Sequence, residues 1–148
     1  MVVAAIVSVL GMVAVPALAR VRTRAKTAAI VNDFRVFGAA FDTYAQERGR
    51  WPNESTTGAT PAGMNTYLNL TAWRRITPMG GKYDWERNQR HMGVRYTAAI
   101  AIKAAAGAPL PLDPNQLLDI DRFMDDGNLS AGSFRTGTGF CPLFVIQP

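Results

Sequence analysis

The sequence predicts an α+β fold in which a long N-terminal α-helix packs on a small antiparallel β-sheet. Three observations carry it. From Arg20 to Arg48 there is no proline and a single glycine, Gly38. Within that stretch Ile30, Phe34, Phe37, Phe41 and Tyr44 recur at spacings of four, three, four and three, which is one face of an α-helix. Beyond Gly49 and Pro52, which end the helix, the chain turns to short alternating or β-branched runs separated by glycine-rich turns.

The first half of that helix differs in character from the second. No charged side chain occurs from Met1 to Ala19, and the only hydroxyl is Ser8. Nineteen residues at the helical rise cover ~28 Å, close to the ~30 Å of a bilayer's hydrocarbon core, which favours a membrane span. Ala17-Leu18-Ala19 also has the form of an A-x-A cleavage site, so a secretory signal peptide competes, although no basic segment precedes the run. A buried core helix fits less well, because a domain of this size cannot surround so long an apolar rod. The reading is one helix, roughly 70 Å long, from about Met1 to Arg48. Three segments follow: 1–27, the membrane and juxtamembrane half of the helix; 28–48, its amphipathic half; and 49–148, a globular head.

The formal charge of +5 and the pI near 9.9 are concentrated locally. Arg20, Arg22, Arg24 and Lys26 follow the apolar run directly, and no acid appears before Asp33. Setting those four aside leaves the rest of the chain close to neutral. The basicity therefore describes a juxtamembrane cluster, not a basic globular surface. By the positive-inside rule this cluster alone would sit in the cytoplasm.

The order of apolar run, Gly11, Pro16, short basic stretch and long amphipathic helix resembles the N-terminus of type IV pilins and type II secretion pseudopilins. MVVAAIVSVLGMVAVPAL is similar to the middle of that family's first helix, with Pro16 at its helix-kinking proline. The resemblance covers Met1–Ala29. It implies a filament subunit, and not an enzyme. Such a subunit is held single-pass in the bacterial inner membrane with its head in the periplasm. It then packs helix against helix into a filament in the periplasm or at the cell surface. On that resemblance Val3, Ile6, Leu10, Gly11, Val13, Pro16 and Leu18 contact lipid and then the filament core. The implied partners are other pilin-like subunits, membrane lipid, an assembly platform and, where a leader exists, a prepilin peptidase. The family's basic leader, its first mature phenylalanine and the glutamate after it are not among these residues. The expectation is a start upstream of Met1 or a truncated form. Gly11 and Pro16 also predict a weakened helix over Val9–Pro16. The competing class is an exported periplasmic binding or interaction domain released by signal peptidase after Ala19.

The head reads as follows. Trp51–Leu70 is loop-like, with a helical turn around Met64–Leu70, and Gly49-Arg50-Trp51-Pro52 resembles the Gly-x-aromatic-Pro that follows the long helix in pseudopilins. Lys82–Arg87 alternates, placing Tyr83 and Trp85 on one face; Asn88–Met92 has the composition of a hairpin loop; Gly93–Lys103 is the returning strand. Thr77–Gly81 is a turn, for which a backbone anion nest is the less favoured reading. Asp113, Pro114 and Gln116 open a helix whose buried side is Leu117, Leu118, Ile120, Phe123 and Met124, with Gly127 beyond its end. Leu129–Arg135 and Phe140–Ile146 form a second hairpin, and Pro142 suggests that the last strand lies at an edge.

Little catalytic chemistry is offered. Cys141 and His91 are each the only residue of their type, and no nucleophile elbow, P-loop or HExxH is present. Asp119 and Asp121, two apart on a helix, point to different faces. Some relatives in the resembling family bind calcium through acidic C-terminal loops, which nominates Asp125, Asp126 and Asn128, although the spacing is not that of an EF-hand. No other cofactor is expected. Trp73, Arg74, Arg75, Arg87, Arg90, His91, Arg95 and Tyr96 mix bases and aromatics as single-strand binders do. Solvated arginines on a hairpin explain them better, and nucleic acid is not an expected partner.

Overall fold

The computed structural model describes residues 18–148 with their side chains and residues 2–17 by main chain only. Helix α1 (Val2–Arg48) is followed by a 3-10 turn (Met64–Thr66) and the short α2 (Leu70–Arg74). Then come β1 (Lys82–His91), β2 (Val94–Lys103), α3 (Pro114–Met124), β3 (Phe134–Thr136) and β4 (Pro142–Gln147). The four strands form one antiparallel sheet in the order β1-β2-β4-β3. Among the described residues no helix is long and apolar enough to cross a membrane. The expectations placed on Val3, Ile6, Leu10, Gly11, Val13 and Pro16, and on unwinding between Val9 and Pro16, lie outside the described side chains.

The apolar stripe of α1 lies on the sheet. Ile30, Phe34, Phe37, Phe41 and Tyr44 are all buried, together with Val31 between them. Beneath them the register pairs Tyr83 with Ile102 and Trp85 with Ile100, while Phe144 of β4 sits opposite both Ile100 and Phe134. Phe41 stacks flat on Trp85 (centroids 3.9 Å apart, planes 4° from parallel), and Phe37 meets Trp73 edge-on at 5.1 Å. The buried indoles are hydrogen-bonded, as such rings require: Trp73 Nε1 donates to the Ala59 carbonyl (2.8 Å) and Trp85 Nε1 to that of Pro52 (3.1 Å). Gly38 allows the helix this close to the sheet, because a Cβ there would stand 2.9 Å from Cε1 of Phe144.

Four details differ from the sequence expectation. Strand β1 continues through Asn88–Arg90 to His91, so the loop expected at Asn88–Met92 shrinks to the two residues Met92 and Gly93. Both have positive φ (49° and 85°), the sign pattern of the type I′ turn whose twist matches a two-residue hairpin. Next, β4 is an interior strand between β2 and β3, and Pro142 is tolerated there because it opens the strand. Its partner β3 spans only Phe134–Thr136, shorter than the run from Leu129. Finally, Phe123 is exposed on α3, whereas Gln116 and Asp121 are buried there with Leu117 and Ile120. The helix start is as read: Asp113 Oδ1 accepts the Asn115 amide at 3.0 Å, with Pro114 at the first position.

Candidate assembly surface and metal centre

Helix α1 has two environments. Every residue from Leu18 to Lys26 is exposed, and among the described side chains of the helix the first buried one is Thr27. From there the helix belongs to the head. Asp33 fixes its seat: the buried carboxylate accepts a hydrogen bond from the Tyr83 hydroxyl (2.6 Å) and pairs with Arg75 beyond α2. Burial and then the neighbouring Asp33 carboxylate push the Tyr83 phenol up. One acid thus ties helix, sheet and the α2 loop together.

The sheet's other face carries a second apolar group, Tyr96, Ala99, Ala101, Cys141, Leu143 and Val145, and beside it a buried polar group. Asp84 and Glu86 alternate with Tyr83 and Trp85 along β1, and so point away from α1. Lys103 Nζ reaches Asp84 Oδ2 at 3.0 Å and also contacts Glu86. His91 Nε2 faces Glu86 at 3.6 Å. Burial pushes the Asp84 carboxyl up. Burial acts the same way on Glu86, but His91 and Lys103 outweigh it and hold that carboxyl below its usual range. His91 is drawn in two directions. The Cys141 side chain and Glu86 push its pKa up to about 9, yet its Nδ1 accepts the Thr138 amide at 3.2 Å. A backbone N–H cannot turn into an acceptor, so this geometry holds the neutral tautomer with its proton on Nε2, toward Glu86. Charging the ring would require the Gly137–Thr138 peptide to move.

At the end of α3, Asp121, Asp125 and Asp126 bring carboxylate oxygens within 4.8 Å of one another. Asp125 Oδ2 also accepts from the amide and hydroxyl of Ser133, and Asp126 Oδ1 accepts the Asn128 amide at 2.8 Å. The Asn128 side chain is turned away to the Ser130 amide (3.1 Å), so the expected third ligand is replaced by Asp121. Asp121 is fully buried and neither of its carboxylate oxygens has a partner in good hydrogen-bond geometry, although the Gly127 amide lies near enough to favour the charged form. Burial, then Asp126 and Asp125, push its pKa up. The i, i+4 spacing of Asp121 and Asp125 was the available signal for it. An orphaned buried carboxylate beside two exposed ones suits a hard divalent cation, to which Asp121, Asp125 and Asp126 would supply part of an oxygen shell.

The mixed aromatic and basic group is dispersed. Trp73, His91 and Tyr96 are buried, Arg75 is held by Asp33, and Arg87 donates to Asn53. No aromatic among them is free to stack on a base. Nor is the Thr77–Gly81 turn an anion nest, since the Gly80 amide donates to Thr77 O (2.9 Å) and the Gly81 amide to Pro109 O (3.0 Å).

A long helix laid by its C-terminal half on a four-stranded antiparallel sheet, with Leu18–Lys26 exposed ahead of that half, is the type IV pilin fold. The chain is similar in structure to the major type IV pilin PilA1 from Clostridium difficile, with a TM-score of 0.58 at 16% identity, over 85% of this chain and 97% of that one. No protein-family model matches the sequence, and no curated protein does.

Proposed function

We propose that this chain is a non-enzymatic structural subunit of a type IV pilus-like or type II secretion pseudopilus filament. Before assembly its N-terminal helix stores it single-pass in the inner membrane, head in the periplasm. An assembly platform then extracts it, and neighbouring helices re-bury the apolar surface in a filament in the periplasm or at the cell surface. The observation that carries the reading is the division of α1 at Thr27: the head covers the stripe from Ile30 to Tyr44 and leaves Leu18–Lys26 exposed. Apolar helix surface projecting from a folded head needs lipid or other helices around it. The pilin fold supports this reading, as does the apolar sequence preceding Leu18.

Cysteine-directed cross-linking in cells tests it. Val21→Cys and Val36→Cys lie on exposed parts of α1, and the native Cys141 is buried. A ladder of cross-linked subunits in the membrane and sheared-filament fractions is expected. A soluble monomer beginning at Arg20 would instead establish the exported, signal-peptidase-released domain and sink the filament reading.

The orphaned Asp121 carboxylate supports a second element: calcium held by Asp121, Asp125 and Asp126, bracing the loop that Asp125 already ties to Ser133. Calcium should raise the melting temperature of the wild type, and Asp121→Asn should abolish the rise. An equal rise in the variant would exclude the site.

A further inference from the structure

We infer that Arg20, Arg22, Arg24 and Lys26 form a collar that binds the phosphate of anionic phospholipid headgroups, with its main seat between α1 and α3. The inference rests on the reading above that the preceding apolar run sits in the membrane. All four side chains are exposed, and among the described residues none makes a hydrogen bond or ion pair. Exposed basic residues occur elsewhere on the head, but here four fall within seven residues with no acid before Asp33, and such a concentration of positive charge favours an anionic partner.

Depth agrees with that partner. The apolar run to Ala19 spans about 28 Å, so the collar begins where the hydrocarbon ends. Arg20 to Lys26 covers about 9 Å of helix, comparable to the 5–8 Å of one headgroup layer. The sheet-covered part of the helix begins at once above it, at buried Thr27, and α3 reaches down to the collar at Asp119.

The two halves of the collar are not equivalent. Arg20 and Arg24 share one face of the helix, and Arg22 and Lys26 share roughly the opposite one. On the first face a cavity of about 330 Å³ opens, lined by Ala19, Arg20, Thr23, Arg24 and Asp119. Two guanidiniums converging on a recess offer the forked donors that phosphate oxygens accept. Asp119 opposes an anion there, but its carboxylate already lies 3.6 Å from Arg122, which offsets it. The neighbouring Leu18 and Val21 are exposed and apolar, suited to the start of an acyl chain.

The test reconstitutes the full chain in phosphatidylcholine vesicles with and without phosphatidylglycerol. Alkaline extraction reads insertion, and native mass spectrometry after mild solubilisation reads the lipids retained. The wild type should resist extraction and keep phosphatidylglycerol over phosphatidylcholine. Each basic residue removed should cost about fivefold in that preference, and R20Q/R24Q should lose more than R22Q/K26Q. A chain that resists extraction yet shows no preference overturns the collar and leaves the membrane reading standing; a chain released by alkali overturns both. Displacement of the lipid by inorganic phosphate would reassign the seat to a free anion. If the quadruple variant keeps its lipids but loses self-association in the same spectra, the collar is an inter-subunit surface and the inference fails.

Discussion

Replacing Lys103 by methionine tests the buried charge balance on the sheet face turned away from α1. Among the described residues, the Lys103 ammonium is the cation that contacts Asp84 and Glu86, whose side chains are 5% and 2% exposed, while the neutral His91 ring faces Glu86 through Nε2. One such pair at 3.0 Å is worth ~5 kcal/mol at an effective dielectric constant of about 20, before desolvation. Lys103 itself is 37% exposed, so solvent screening and side-chain entropy remove a large share of that. The variant strands two carboxylates without their counter-charge, an error that costs more than the pair contributes. A net loss of about 2–3 kcal/mol at neutral pH is expected. Denaturant titration of the detergent-solubilised chain, followed by the fluorescence of buried Trp73 and Trp85, measures it.

The pH dependence makes this more than a stability assay. In the wild type Glu86 is held below its unfolded pKa, so its contribution is present above the ordinary carboxylate range and is lost as pH falls through the depressed value. In the variant both carboxyls rise above their unfolded values. Their cost is then absent in acid, where they are protonated in both states, and is incurred as pH rises through the raised folded values. The gap between variant and wild type should therefore close on acidification. Glu86→Gln in the Lys103→Met background should close part of it at neutral pH. A variant as stable as wild type at neutral pH, or a gap that widens in acid, would refute the account of this face.

Phe41→Ala removes the ring stacked on Trp85 and should cost about 3–5 kcal/mol, read by thermal melting, whereas Val36→Ala on the exposed side of the same helix should change stability by less than about 0.5 kcal/mol. Met92→Asn should stabilise by roughly 0.5 kcal/mol, because Met92 holds φ 49° in the hairpin turn with its side chain in solvent and asparagine tolerates that region better; a lower melting temperature would contradict the turn.

How much of this was legible depends on the range of the interaction. The α1 stripe needs only the 3.6-residue period, so Ile30 to Tyr44 could be read directly, as could the Asp113 cap, which is closed within two residues. The hairpin turn was misplaced because Asn88–Arg90 is polar on both faces and carries no alternation, so nothing local tells strand from loop. Only the pairing with Tyr96 and Arg95 across β2 extends the strand to His91. Asp33 was equally opaque: its partners, Arg75 and Tyr83, are 42 and 50 residues away.

Asp84 and Glu86 show a subtler limit. Alternation in β1 correctly separates them from Tyr83 and Trp85, and the natural inference is that the polar face is wet. It is dry. The small Ala99 and Ala101 of β2 leave room on that face, and Lys103, Tyr96 and Arg135 lie across it, with Arg135 Nη1 donating to the Tyr96 hydroxyl at 3.2 Å. Periodicity reports which side chains share a face; whether water reaches the face is decided by how far the side chains of other strands extend over it. The same reasoning separates the two halves of α1. Arg20 to Lys26 stay exposed because the sheet covers α1 only from Thr27 onward, and α3 reaches the earlier turns only at Asp119. Leu18–Lys26 therefore remain exposed although they continue the same helix that the sheet covers from Thr27 onward.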